Sequence, residues 1–176
     1  LLINAVFIVW MQHRGTRHRT SKGLDIYDAI DTTNCESVIS YGENFWISSI
    51  GIGNYTHTNA SDLIPDTGTT FTLGENAIVD MLARAGGAVY NGSQHLYVVE
   101  CNVTPPTLDI TFEAYKYFVQ SASYVIEASG CKQILFGYSW NGFLWFGLLG
   151  TPFTRQFCTI FHIGQRRMGF AASLQK

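Results

Sequence analysis

The sequence predicts a mainly β fold, and three observations carry that reading. Short runs rich in Val, Ile, Phe and Tyr recur along the chain: VFIVW, SVISY, FWISSIGIG, HLYVVEC, TLDITF, SYVIEA, QILFGY and FCTIFHIG. Gly, Asn and Pro clusters separate them, as hairpin turns require, with glycine supplying the positive φ such turns need. A single segment has helical spacing. With 176 residues, 47% apolar and 14% charged, the chain can bury a substantial core and reads as one domain, or one lobe of something larger.

The opening LLINAVFIVWM is apolar but shorter than the roughly 18 residues a membrane span requires. Its basic residues (Arg14, Arg17, Arg19, Lys22) follow it, whereas a signal peptide carries its charges in front. Without an initiator Met, it reads as a strand entered mid-protein, and the whole sequence as a piece of a longer one. The basic stretch from His13 to Arg19 reads as a charged turn between strands. It lacks the interleaved aromatics of a nucleic-acid patch, and a net charge of −2 argues against a polyanionic or membrane-surface partner. Leu73 to Ala85 (LGENAIVDMLARA) places Ile78, Met81 and Leu82 at three- and four-residue spacing before Gly86-Gly87. That pattern predicts a short amphipathic helix with a glycine stop. Trp46, Trp140 and Trp145 alternate with apolar residues and read as core.

Few side chains suggest chemistry. The histidines (His13, His18, His57, His95, His162) are scattered without HExxH or paired spacing, so neither a metal site nor a cofactor is expected. No GxSxG nucleophile motif occurs. Four sequons, at Asn54, Asn59, Asn91 and Asn102, point to the secretory pathway, and hence to a secreted or lysosomal protein. Four cysteines with no CxxC permit three disulfide pairings, which an oxidising compartment favours.

One acid stands out. In LIPDTGTTFT (63–72), Asp66 follows an apolar run and a proline, and burying a lone carboxylate is costly. The residues after it suit a held carboxylate. Gly68 lets the backbone turn close to it, while Thr67 and Thr69 offer hydroxyls and N–H groups to its oxygens. Two such carboxylates side by side cannot both ionise; they share a proton, so that one activates water while the other protonates a carbonyl. DTG alone is a weak signal and most often marks a turn.

Its context strengthens it. Asp66-Thr-Gly-Thr-Thr resembles the active-site loop of pepsin-like aspartic proteases, and resemblance to that family's C-terminal lobe runs along nearly the whole chain. Val6-Phe-Ile-Val-Trp is similar to the strand opening that lobe. The segment from Ile30 to Tyr41 resembles nematode members, and Phe45 to Gly53 the strand leading to the second DTG loop. Cys101-Asn-Val-Thr-Pro-Pro-Thr-Leu-Asp-Ile-Thr-Phe resembles the family's cysteine, prolines and apolar strand. Leu148 to Phe161 and Arg167-Met-Gly-Phe-Ala resemble its C-terminal signature, in which Leu148, Leu149 and Gly150 would pass beside the catalytic loop.

The resemblance implies residues 1–176 form a single lobe, a double-psi-type β-barrel or sandwich with one or two short helices. It implies an aspartic endopeptidase in which Asp66 is one of two catalytic acids and Thr67 and Gly68 shape the loop. Thr69 and Thr70 would bond a peptide or protein substrate lying in the cleft between lobes. It also implies a Cys101–Cys131 disulfide, leaving Cys35 to pair with Cys158. Four positions depart from the family pattern: Pro65 before the acid, Thr151 in place of an Asp, His162 in place of another, and Asp28-Ala29 where a glycine pair is expected. The chain holds no second DTG loop, so an N-terminal lobe outside it must supply the other acid. Two rival readings follow: a catalytically silent secreted binding protein of the same fold, or a homodimer using Asp66 twice, as retroviral proteases do.

Overall fold

The structure, a computed structural model, describes residues 5–12, 23–42, 46–58, 61–70, 72–93, 95–112, 114–128, 131–134, 136–138 and 147–175. The first strands are β1 (Val6–Met11), β2 (Gly23–Tyr27), β3 (Cys35–Gly42), β4 (Trp46–Ile52), β5 (Tyr55–His57), β6 (Ser61–Pro65) and β7 (Thr72–Gly74). Helix α1 (Asn76–Ala85) precedes β8 (Ala88–Asn91), β9 (Leu96–Val99), β10 (Leu108–Phe112) and β11 (Tyr115–Val119). Helix α2 (Ser121–Tyr124) leads into β12 (Val125–Ala128), β13 (Cys131–Ile134), β14 (Phe136–Tyr138) and β15 (Gly147–Leu149). Helix α3 (Thr151–Gln156), β16 (Phe157–His162), a 3₁₀ turn and β17 (Arg167–Ser173) complete the order. The mainly β expectation holds. The basic stretch 13–19, Trp140, Trp145 and Asn59 lie outside the described residues.

Three sheets form. One runs β2-β1-β16-β17-β3; an eight-stranded sheet runs β11-β10-β4-β6-β15-β7-β14 with β5 on β4; a smaller one runs β12-β13-β9-β8. Strand chemistry explains the burial. In β10, Leu108, Ile110 and Phe112 are buried while Asp109 and Thr111 on the other face are less so, the alternation of a sheet with one face on the core. Tyr117 of β11 reaches the same core. Its ring meets Phe157 and Phe170 edge-on at 5.1 and 5.5 Å, and Phe153 packs against Phe157 and Phe170. Such edge-to-face pairs add to what burial alone contributes.

Helix α1 forms where expected but starts later. Leu73 belongs instead to β7, where it pairs with Leu148, so a sheet contact overrides helical spacing. The buried face is Val79, Leu82 and Ala83; Met81 is 47% exposed and is not a packing residue. The glycine stop is present: Gly86 N–H donates to Leu82 O at 3.0 Å, and Gly87 takes φ +79°. Among the described residues there are three α-helical segments rather than one or two. SYVIEA divides between α2 and β12, and QILFGY divides between β13 and β14 in different sheets.

The five-stranded sheet carries the disulfide Cys35–Cys158, with Cα atoms 6.1 Å apart across 123 residues of chain. It spans β17, joining β3 to β16. Asp31 sets the entry to β3, accepting from the backbone N–H of Thr33 and Asn34 and from Asn34 Nδ2 at 2.8–3.0 Å. Asp28, where a glycine pair was expected, has φ +61°. That left-handed geometry suits glycine, and aspartate is among the few other residues that tolerate it. Cys101 is exposed, and the side chain of Cys131, its expected partner, lies outside the described residues. No helix among the described residues is long and apolar enough to cross a membrane.

Candidate active site

Strand β15 lies between β6 and β7. It runs parallel to β6 with Leu148 opposite Ile64 and Leu149 opposite Pro65, and antiparallel to β7 with Leu148 opposite Leu73. The connection from β6 to β7 must therefore cross over β15. That crossing is the DTG loop, and the Leu148–Gly150 segment passes beside it. Asp66 sits where the loop leaves the sheet, its N–H donating to Leu149 O at 2.9 Å.

The carboxylate of Asp66 is half-buried and held at both oxygens. Gly68 N–H donates to Oδ1 at 2.8 Å, and the Thr69 hydroxyl donates to Oδ2. A carboxylate that accepts such bonds is fixed in orientation, and bonds to a charged acceptor are among the strong ones. A Cβ on residue 68 would stand 3.3 Å from Asp66 Oδ1, so glycine is needed for the close approach of backbone to acid. The sequence assigned the holding hydroxyls to Thr67 and Thr69; the structure gives the work to Thr69 and the Gly68 N–H.

Pro65 does not disturb this arrangement. The bond to β15 next to the loop comes from the Asp66 N–H, so the proline's missing donor leaves it intact. Pro65 is buried and, with Ile47, Ile110, Phe112, Leu149, Phe153 and Phe170, lines a small apolar void behind the loop.

Thr151 is a residue whose part in the site was missed. Its N–H donates to Thr69 O at 2.7 Å and its hydroxyl to Thr70 O at 3.2 Å. The sequence marked Thr151 only as a departure from a family aspartate, although its position directly after Leu-Leu-Gly placed it beside the loop. Gly150 caps α3, its carbonyl accepting from Phe153 N–H at 3.1 Å, and Pro152 occupies the first turn where its missing N–H costs nothing. His162 ends β16 opposite Arg167 and Val6 and stands in the five-stranded sheet.

The arrangement can present one oriented carboxylate at a backbone turn. Thr70 is exposed beside it. Among the described residues no group of three or more His, Cys, Asp or Glu side chains comes together as a metal site would require.

The chain also resembles known proteins along nearly its whole length. Residues 10–173 match the family model described as eukaryotic aspartyl protease. The chain is similar to aspartic protease 6 of Caenorhabditis elegans, 39% identical over 185 residues covering 100% of this chain and 48% of the relative. It is 31% identical to aspartic protease 1 of the same organism, covering 97% of this chain and 47% of that protein. Aspergillopepsin-1 of Aspergillus oryzae is 26% identical over 97% of this chain and 45% of its own length. The chain thus spans about half the length of the curated relatives it matches.

Proposed function

This chain belongs to the eukaryotic aspartyl protease family, and on that premise we propose that it is the C-terminal lobe of a two-lobed aspartic endopeptidase. Asp66 supplies one of the two catalytic acids, and an N-terminal lobe supplies the other. The half-length match to the curated relatives supports the missing lobe. The observation that carries the reading is the carboxylate of Asp66, bonded at one oxygen by Gly68 N–H and at the other by the Thr69 hydroxyl.

The chemistry follows from placing a second carboxylate opposite the first. Two acids so close hold one proton between them. The ionised one takes a proton from water as that water attacks the peptide carbonyl, and the protonated one hydrogen-bonds the carbonyl oxygen as it gains charge. Fixing the carboxylate beforehand reduces the reorganisation this step requires. Thr69 spends its hydroxyl on Asp66, so Thr70 is the residue left to meet the peptide backbone, in a cleft between the lobes. The four sequons and the Cys35–Cys158 disulfide support a secreted or lysosomal setting.

The test is peptide hydrolysis at acid pH by the full-length polypeptide containing this chain, beside its Asp66→Asn variant, with sedimentation of both. Cleavage abolished by Asp66→Asn in a monomer supports the reading. Cleavage only by a dimer of this lobe would favour the twofold arrangement. A folded full-length protein that neither cleaves nor binds pepstatin would leave the silent binding protein.

A further inference from the structure

Gln175 follows β17, and its side-chain amide reaches back to carbonyl groups of two different elements. Nε2 donates to Arg155 O of α3 at 2.9 Å and to Met11 O at the end of β1 at 3.2 Å, and it also meets Ser173 Oγ. An amide nitrogen carries two protons, one for each carbonyl. Arg155 O belongs to the last turn of α3, where carbonyls find no partner within the helix. Gln175 is itself placed by its neighbour. Leu174 N–H donates to Asn34 O at 2.7 Å, and Asn34 is fixed in turn by Asp31.

The other end of α3 meets the loop of Asp66. The six residues of the helix span about 9 Å. At its start, the Thr151 N–H and hydroxyl donate to the carbonyls of Thr69 and Thr70; near its finish, Arg155 O accepts from Gln175. Phe153 packs the helix onto the core rings, but apolar burial is non-directional and opposes a slide along the axis less than polar ties do. Gln156 links α3 sideways to α2, its Oε1 accepting from Ser123 Oγ at 3.3 Å and from Gln120 N–H at 3.4 Å. Gln175 makes the shorter bond, and it refers the helix to β1 of the five-stranded sheet.

We propose that Gln175 is a positioning residue for Asp66. By holding Arg155 O beside Met11 O, it fixes α3 so that Thr151 meets the loop and Leu149 O meets the Asp66 N–H. Its action passes through α3. The inference rests on the reading of Asp66 as a catalytic acid, whose step depends on a carboxylate set in place beforehand.

Hydrogen exchange in the full-length polypeptide containing this chain, with Gln175→Leu beside Gln175→Lys, provides the test. Leucine keeps much of the volume and has no donor. Lysine keeps donors at similar reach, next to helix C-terminal carbonyls that favour a cation. In the leucine variant the amides of Asp66, Gly68 and Thr151 should exchange about tenfold faster, as the loss of one or two hydrogen bonds allows. The β8–β9 hairpin, in a separate sheet, should keep its wild-type exchange. Lysine should restore slow exchange at the loop, and peptide hydrolysis per folded molecule should fall with leucine and recover with lysine. Gln175→Asn, one methylene shorter, gives the same reading where leucine does not fold. A folded leucine variant whose three loop amides exchange as in the wild type overturns the inference. So does one in which the hairpin amides speed up equally, because the loss is then general. A wild-type protein that cleaves nothing refutes the protease reading instead, and the exchange comparison still decides the part of Gln175.

Discussion

Thr151 donates its backbone N–H to the carbonyl oxygen of Thr69 at 2.7 Å, tying the start of α3 to the loop that carries Asp66. Its hydroxyl adds a second tie, to Thr70 O at 3.2 Å. A position that departs from the family pattern is therefore built into the loop's support. The carboxylate is fixed from within by Gly68 and Thr69, and the loop holding it is fixed from outside by Thr151.

Thr151→Val keeps the N–H bond and loses the hydroxyl. A net cost of about 1 kcal/mol in stability is expected, typical of one hydrogen bond. Faster hydrogen exchange at the amides of the 66–70 loop should accompany it, and Thr151→Ser should restore both. Unchanged exchange in the valine variant would show that the hydroxyl contributes nothing to loop order.

Thr69→Val is nearly isosteric and removes the donor to Asp66 Oδ2. Bonds to charged groups contribute roughly 1.5–3 kcal/mol, so in the proposed two-lobed enzyme kcat/KM for peptide hydrolysis should fall on the order of tenfold to a hundredfold. Thr69→Ser should stay near wild type. If valine and serine variants behaved alike, the hydroxyl would have no part in orienting the acid.

Replacing Cys35 and Cys158 together by Ser opens a loop of 123 residues. The chain-entropy estimate gives a loss of roughly 4–5 kcal/mol. Denaturant melts of the double variant should show the midpoint displaced to lower denaturant. A midpoint unchanged from the wild type would mean the sheet is held without the bridge.

Tyr124 is fully buried and donates its hydroxyl to Pro106 O. Burial first, and the negative charge of Asp109 second, hold its phenol well above the ordinary value of about 10. The unfolded chain surrenders that proton near its ordinary value while the folded chain retains it. Tyr124's contribution to stability is thus whole below about pH 10 and declines as pH rises beyond it. Tyr124→Phe should lower stability at neutral pH and flatten this alkaline decline, which denaturant melts at a series of pH values would reveal.

Legibility in the sequence tracked local information. The runs VFIVW, SVISY and TLDITF declared their strands because β-branched and aromatic residues dominate each window. Strand β15 is three residues long and exists only because β6 and β7 accept it on either side, so no window of sequence displays it. Leu73 fitted a helical pattern but was taken by that same sheet. Ser123 and Tyr124 looked like the start of a strand and instead close a helical turn at the core. For the site, Asp66 and Gly68 were legible because their loop, by itself no more than a turn signal, stood in order with several other motifs along the chain. The distinct task of Thr151 depends on carbonyls some eighty residues away in the chain, and no local pattern announces such a pairing.

The insertion of β15 between β6 and β7 also dictates when the acid can be set in place. Asp66 emerges from the ribosome well before its backbone anchor, Leu149, and the loop's brace, Thr151. Contacts so distant in sequence close late. A nascent chain halted before Gly147 would carry the DTG tripeptide with nothing to thread beneath it. Synthesis must pass Thr151 before the carboxylate acquires its geometry, so a product of this lobe cut short ahead of that residue would lack an oriented acid.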